Sequence, residues 1–391
     1  MDNLFLSGRY YLPDDALVRR RIESSLSRTF ETRGYHEIIP PMLVGLGLAQ
    51  LGLDSRGGPC CSDGSDGPDG SGCTGHPDRH LGGACTSYVV LTRDGNLLTL
   101  RSDLTAPVAA LAARHLLSPD KPTRLYYSGS VFRAQKPGSG RPEERRQVGA
   151  ELIGTDATGV QADAEILSMA VEGLINAGLR DFCIGLNDAG LLSAILDAAG
   201  AQGGTKERLS SALAARDYVL YGELVSSLEG AAVHNQPDRG PERDVHIIDL
   251  LKHLPDVHTG PEVLEGLRAA GIRDAASSLV RTIEVLTDRG LGSYFRLDLA
   301  IAREFHYYTG VVFEGYAPGC GNAVIGGGRY DNLLAQFGSS APAAGFAVDV
   351  DSVASALEAL EASRAPEGSV RQWSRQLWSN LESCEAVRSR H

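Results

Sequence analysis

Apolar and polar positions follow two rhythms along this chain, and the points where one replaces the other outline its elements. The helical rhythm comes first. In "LPDDALVRRRIESSLSRTFETRGY", Leu17, Ile22, Leu26 and Phe30 fall on one face. Pro13 and two aspartates supply helix-start chemistry there, and Gly34 supplies the stop. "HEIIPPML" follows as a short β-like segment. Pro40 and Pro41 confine it to an edge or an interface, because proline has no N–H to give to a ladder.

Farther on, "YVVLTRDGNLLTL" predicts a hairpin about Asp94-Gly95, and "RSDLTAPVAALAARHLL" predicts a helix entered after Pro107. "TRLYYSGSVFRAQ" and "RRQVGAELIG" predict two strands flanking the polar loop "KPGSGRPEE". "QADAEILSMAVEGLINAGL" returns to helical spacing, with Ile166, Met169, Ala170 and Leu174 on one face and Gly178 as its cap. "DFCIGLN" is a strand. From about 188 to 290 the pattern turns helical, which marks an inserted unit. Strands resume at "SYFRLDLA", "GVVFEGYA", "NAVIGGG" and "AAGFAVDV". Strands before and after a helical insertion predict one mixed, mostly antiparallel sheet with helices on its faces.

Composition narrows the function classes. The chain has 391 residues, 42% of them hydrophobic, enough for one large domain plus an insertion. A formal net charge of −12 argues against a nucleic-acid partner. No apolar run reaches the ~18–20 residues of a membrane span, and "MDNLFLSGRYYLPDD" has no basic-then-apolar leader. The expectation is a cytoplasmic protein with no membrane association. Four of the seven cysteines, Cys60, Cys61, Cys73 and Cys85, crowd with His76 and His80 into one Gly/Ser/Asp-rich stretch. Zinc-type C-x2-C spacing is not met there, so no metal is expected, and the composition predicts disorder over about 55–83.

Candidate chemistry gathers in a few places. Gln147 and Glu151 are four apart on a predicted strand, so alternation puts both on one face. On the residues alone they are equally a solvated strand face. Likewise Tyr307 and Tyr308 are equally ordinary strand residues, since tyrosine favours strands, and Gly326 to Gly328 equally a bulge or a close packing point, as against parts of a ligand site. The glycine triplet does not continue into a phosphate-loop pattern.

Six stretches, in order, carry a resemblance. They are "GYHEIIPPML", "LRSDLTAPVA", "VFRAQ…GRPEERRQVGAELIG", "REFHYYTGVVFEGYAPG", "GGGRYDNLL" and "AAGFAVDVDSV". The chain resembles the histidyl-tRNA synthetase catalytic domain, and within that group the non-catalytic regulatory subunits of ATP phosphoribosyltransferase, which serve histidine biosynthesis. The likeness runs from about Leu6 to about Leu360. It implies an α+β, class II aminoacyl-tRNA synthetase-like fold over 1–365, with an antiparallel six- or seven-stranded sheet flanked by helices and interrupted by the 188–290 insertion. It leaves 366–391 as a tail with no anticodon-binding domain.

The same resemblance implies a histidine-binding-like pocket. Asp103 and Thr105 lie in its substrate loop. Gln147 would hold the ammonium and Glu151 the imidazole. Arg303 would meet the carboxylate, Tyr308, beside Tyr307, would hydrogen-bond the ring, and Tyr330 would close the pocket. Arg133 survives from the nucleotide-binding set, but Gln135 replaces an acid, Ser352 an arginine and Asp349 a glycine. Serine cannot supply a guanidinium fork to a phosphate, so adenylate chemistry would suffer. The implied protein has no catalysis of its own and no cofactor. Its implied partner is a short-form ATP phosphoribosyltransferase catalytic subunit, in a hetero-octamer that contains synthetase-like dimers, with feedback regulation by histidine. The alternative is a divergent histidyl-tRNA synthetase.

Overall fold

The computed structural model describes residues 10–46, 88–135, 142–214, 217–235, 241–254, 274–301 and 307–364, with positions 48, 258–259, 267 and 272 between them. The Cys-rich stretch, the expected tail and Arg303 lie outside the described residues.

The elements in chain order are α1 (Pro13–Thr32), β1 (His36–Glu37), β2 (Leu43–Gly45), β3 (Val89–Leu91), β4 (Leu97–Leu100), α2 (Thr105–His115), β5 (Thr123–Phe132) and β6 (Glu144–Ile153). Then come α3 (Gly159–Asn176), β7 (Cys183–Asp188), α4 (Ala189–Ala198), α5 (Gly204–Ala214), α6 (Tyr218–Asn235), α7 (Pro241–His253), β8 (His258–Thr259) and α8 (Asp274–Asp288). The last are β9 (Phe295–Asp298), β10 (Val311–Tyr316), β11 (Ile325–Arg329), β12 (Ala343–Asp349) and α9 (Val350–Arg364).

The main sheet runs β1-β5-β6-β12-β11-β10-β7-β9-β8. Its body, β5 through β7, is six antiparallel strands, in keeping with the pattern of the sequence. Shorter strands widen it at both edges: β1 pairs parallel to β5, β9 parallel to β7, and β8 antiparallel to β9. The sheet is therefore wider than six or seven strands and is mixed at its margins. The two- to four-residue margin strands are too short to show a period-two pattern.

The predicted hairpin forms, with Leu91 opposite Leu97 and Gly95 at φ 80°, but it joins β2 in a separate three-stranded sheet. Helix α2 begins at Thr105, before Pro107 and not after it. Pro107 fits inside its first turn because an N–H there has no helical partner. In α1, Ile22, Leu26 and Phe30 are buried, but Leu17 is half-exposed and Arg19 is buried instead. Arg19 earns its burial through Asp351 of α9, whose Oδ1 accepts from Arg19 Nε at 2.7 Å and from Tyr11 OH at 2.6 Å.

One face of the six-stranded body packs on α1 and α3. Tyr126, Ala150, Phe346 and Phe313 point that way and join the main core. Phe30 meets Phe346 edge-on, with ring centroids 5.5 Å apart, and meets Tyr126 likewise at 6.0 Å. Gly173 lets α3 approach α1, since a Cβ there would stand 3.0 Å from Leu26. The opposite face carries two smaller apolar clusters and the candidate site between them.

Candidate functional site

Alternation along β6 places Gln147, Gly149 and Glu151 on the face turned away from α1 and α3. Register aligns Glu151 with Leu125 of β5 and Gly345 of β12, and Gly345 with Gly328 of β11. Three glycines on this floor make room for three large side chains. A Cβ on Gly345 would lie 1.7 Å from Glu151 Oε2, one on Gly149 2.5 Å from the Tyr127 hydroxyl, and one on Gly328 2.7 Å from the Tyr308 ring. Side chains therefore lie flat across neighbouring strands instead of standing off the sheet.

Glu151 is at the centre and fully buried. Thr105 Oγ1, at the start of α2, donates to its Oε1 at 2.8 Å, and Tyr127 OH donates to the same oxygen at 3.0 Å. Tyr330 OH donates to Oε2. Burial raises the Glu151 carboxyl to about 7 and the nearby Asp103 charge adds to the rise, while the three hydroxyls hold it down by stabilising the anion. The phenols of Tyr127 and Tyr330 are pushed well up, by burial first and then by the facing carboxylate. A carboxylate has about four acceptor positions. The hydroxyls fill three of them, so by count one acceptor position remains.

The other sequence-predicted residues spread outward from this centre. Tyr307 is buried against Tyr330, ring centroids 5.7 Å apart at 69°, and against Tyr308 at 4.9 Å. Asp103 accepts from Ala106 N at 2.9 Å, so it caps the start of α2, and burial raises its carboxyl. Arg133 Nε donates to the Ser102 carbonyl at 2.9 Å, and its charge partly offsets the burial of Asp103. Gln147 shares the face with Glu151 but lies about 13 Å away along the strand, with Gly149 between them.

Thr105, Glu151 and Tyr330 thus touch directly, with Tyr307 and Tyr308 packed behind them. Asp103 and Arg133 lie near each other farther out, and Gln147 stands farther along β6. The sequence alone does not single out Tyr127, because only the β5–β6 register shows that it, and not Tyr126, faces Glu151. Gly149, standing between Gln147 and Glu151, was the readable sign that the face is a floor.

Asp349, which the resemblance sets in place of a glycine, is engaged within the fold. Its Oδ1 accepts from Ser352 N at 2.8 Å, capping α9, and its Oδ2 lies 3.5 Å from Arg145 Nη1. Ser352 is buried at that helix start, and Gln135 Nε2 donates to the Arg133 carbonyl at 3.3 Å.

The chain is similar to known proteins over most of its length. Residues 80–353 match the family model described as histidyl-tRNA synthetase. A protein of Moorella thermoacetica named ATP phosphoribosyltransferase regulatory subunit is 36% identical over 344 residues, covering 87% of this chain and 78% of its own length. A solved structure from Bacillus halodurans, described as an ATP phosphoribosyltransferase regulatory subunit/histidyl-tRNA synthetase, superposes with TM-score 0.72 at 29% identity, covering 91% of this chain and 83% of that one. A histidine–tRNA ligase subunit from Alicyclobacillus acidocaldarius superposes with TM-score 0.67 at 29% identity, covering 91% and 97%. With its class II synthetase-like sheet and its likeness to these proteins, the chain belongs to the ATP phosphoribosyltransferase regulatory subunit family.

Proposed function

We propose that this protein is the regulatory subunit of an ATP phosphoribosyltransferase, without catalysis of its own. It would activate a short-form catalytic subunit at the first step of histidine biosynthesis and make that subunit sensitive to histidine. The observation that carries the ligand half of this reading is the buried Glu151 carboxylate, held by three hydroxyls over a glycine floor, with one of its roughly four acceptor positions left by count. An imidazole N–H is a donor of the right kind for that position. Asp103, Thr105, Gln147, Tyr307, Tyr308 and Tyr330 would shape the rest of the pocket, with Arg133 at its rim. Arg303 would meet the ligand carboxylate.

Feedback inhibition is a coupling free energy, so histidine must bind the inhibited assembly more tightly than the active one. The absence of adenylate chemistry is supported by Ser352, which offers no guanidinium, and by an Asp349–Arg145 pair that engages this arginine with a carboxylate. Self-association as a dimer inside a hetero-octamer is supported by exposed apolar side chains on and beside the three-stranded sheet. They are Ile39, Met42, Leu43, Val89, Leu91 and Leu97. Among the described residues no helix is long and apolar enough to cross a membrane, which suits the cytoplasmic setting of this reading.

The test is to mix the protein with a short-form catalytic subunit from the same source and follow phosphoribosyl-ATP formation with and without histidine. ATP–pyrophosphate exchange by the protein alone serves as the control. Activation suppressed by histidine, with a silent exchange assay, is the expected result. Histidine-dependent exchange without activation would replace this reading with a divergent histidyl-tRNA synthetase.

A further inference from the structure

Strands β6 and β11 are not neighbours, because β12 lies between them. Two side-chain bridges nevertheless join their ends. The first is the pocket bond itself, from Tyr330 just past β11 to Glu151 on β6. It crosses β12 at Gly345, where any Cβ would collide with the carboxylate. The second starts one residue earlier and, by alternation, on the opposite face. Arg329 is buried, and its Nη1 donates to the carbonyl of Ala157 in the loop that leaves β6. Its Nη2 donates to the Gly159 carbonyl at 3.2 Å and to Asp163 Oδ1 of α3 at 2.6 Å. Gly310 clears the path, since a Cβ there would stand 2.7 Å from Arg329 Cδ.

The residue after Tyr330 is held as well. Asp331 accepts from Ala343 N at 3.2 Å, and its own N–H donates to Thr309 Oγ1 at 3.0 Å. Tyr330 N donates to the Ala343 carbonyl at 2.7 Å. Tyr330 therefore sits between two anchored neighbours, with little freedom to turn away from Glu151.

We infer that Arg329 is a positioning residue for the pocket: by tying the end of β11 to the loop after β6 and to α3, it sets the Tyr330 hydroxyl on the Glu151 carboxylate. A planar guanidinium suits this task because one fork reaches two carbonyls and two carboxylates, Asp163 and, at 3.4 Å, Asp331 Oδ1, together, which an ammonium cannot copy. The inference rests on the pocket reading above for its ligand consequence only; the Arg329–Tyr330–Glu151 coupling is testable without any ligand.

The experiment uses the full chain, with glutamate carboxyl carbons labelled with carbon-13, and Glu151 assigned by its loss in Glu151→Gln. Its titration is followed in the parent, Arg329→Lys, Tyr330→Phe and the double variant. The ionisable groups facing Glu151 are Tyr127 from β5, Tyr330 from beyond β11, Asp103 from before α2 and, at longer range, Tyr35 after α1. Tyr330→Phe removes a donor to the anion and raises the Glu151 midpoint. Arg329→Lys raises it too, and adds nothing further once Tyr330 is phenylalanine. Asp163→Asn, which keeps both carbonyl contacts, gives a smaller rise and serves if Arg329→Lys does not fold.

Histidine affinity by calorimetry falls several-fold in Arg329→Lys, and the double variant falls no further than Tyr330→Phe alone. An unmoved midpoint in a folded Arg329→Lys, or an equal shift with and without Tyr330, overturns the inference. The predicted coupling of midpoints with no histidine binding in any protein leaves the inference standing and removes the histidine pocket instead.

Discussion

The six-stranded body has two faces built from alternate residues of the same strands, and they solve opposite problems. Toward α1 and α3, Tyr126, Ala150, Phe346 and Phe313 fill space with apolar volume. On the other side, Tyr127, Glu151 and Gly345 occupy the adjacent positions, with Gly328 beside Gly345, and glycine withholds volume so that polar side chains can lie down over the sheet. The first face gains stability by excluding water from hydrocarbon. The second gives up some of that gain to bury a carboxylate, a cost that its hydroxyl donors offset only in part. The difference teaches that neighbouring residues in one strand can belong to separate functions, stability and recognition, and that substitutions should separate the two.

The sharpest break comes at the adjacent pair Gly345 and Phe346. Phe346→Ala opens a cavity in the main core and should cost about 3–5 kcal/mol. The folded fraction should still bind histidine with unchanged affinity. Gly345→Ala forces a methyl into Glu151 Oε2 and to 2.6 Å from the Ala150 carbonyl. It should cost about 3 kcal/mol by overpacking and abolish binding. Denaturant unfolding and calorimetry on both variants check the pair. Equal loss of binding in the two would erase the distinction between the faces.

Glu151→Gln probes the buried charge next. A carboxyl raised from its ordinary 4.5 to about 7 binds its proton more tightly folded than unfolded. Its contribution to stability is fully present below pH 4.5 and is lost as pH rises to about 7. At roughly 1.4 kcal/mol per pH unit, that amounts to about 3 kcal/mol. Over the same window the Glu151→Gln protein should lack that decline relative to the parent, in urea melts at pH 5, 6, 7 and 8. Removing a charged acceptor should also raise the histidine Kd roughly ten- to a hundredfold. Identical pH profiles in the two proteins would sink the assignment of the titrating group.

How much of this the sequence discloses depends on which spacing carries the information. The long helices are legible because Ile166, Met169, Ala170 and Leu174 repeat at helical intervals within one segment. The pairing of Gln147 with Glu151 on one face is legible for the same local reason. The Tyr127 contact is not, since it depends on which residue of β5 stands opposite Gly149, a register fixed by the fold. The capping task of Asp103 and the tether made by Arg329 are likewise long-range facts. The six stretches that resemble the synthetase family supplied what periodicity lacked: the identity of Thr105, Glu151 and Tyr330 as one group.

The smallest predicted effect makes the cleanest comparison, because it deletes the same atom from adjacent residues. Tyr126 and Tyr127 both donate a phenol to a glutamate. Tyr126 reaches Glu31 of α1 at 2.7 Å, in a partly exposed setting, and Tyr127 reaches the buried Glu151 at 3.0 Å. Tyr126→Phe removes a bond that water can replace, so it should cost at most about 1 kcal/mol and leave the Glu151 midpoint alone. Tyr127→Phe removes one of three donors to a fully buried anion. It should raise the Glu151 midpoint above about 7 and move the onset of histidine binding to higher pH, because the carboxylate form is the one with an acceptor for the ligand. The stability cost should also depend on pH. It should be slight in acid, where Glu151 is protonated, and should approach about 1–2 kcal/mol in mild base. Melting both variants at pH 5.5 and 8.5 reads the difference, and a cost for Tyr127→Phe that does not grow between those pH values would mean that its hydroxyl is packing, not holding a charge.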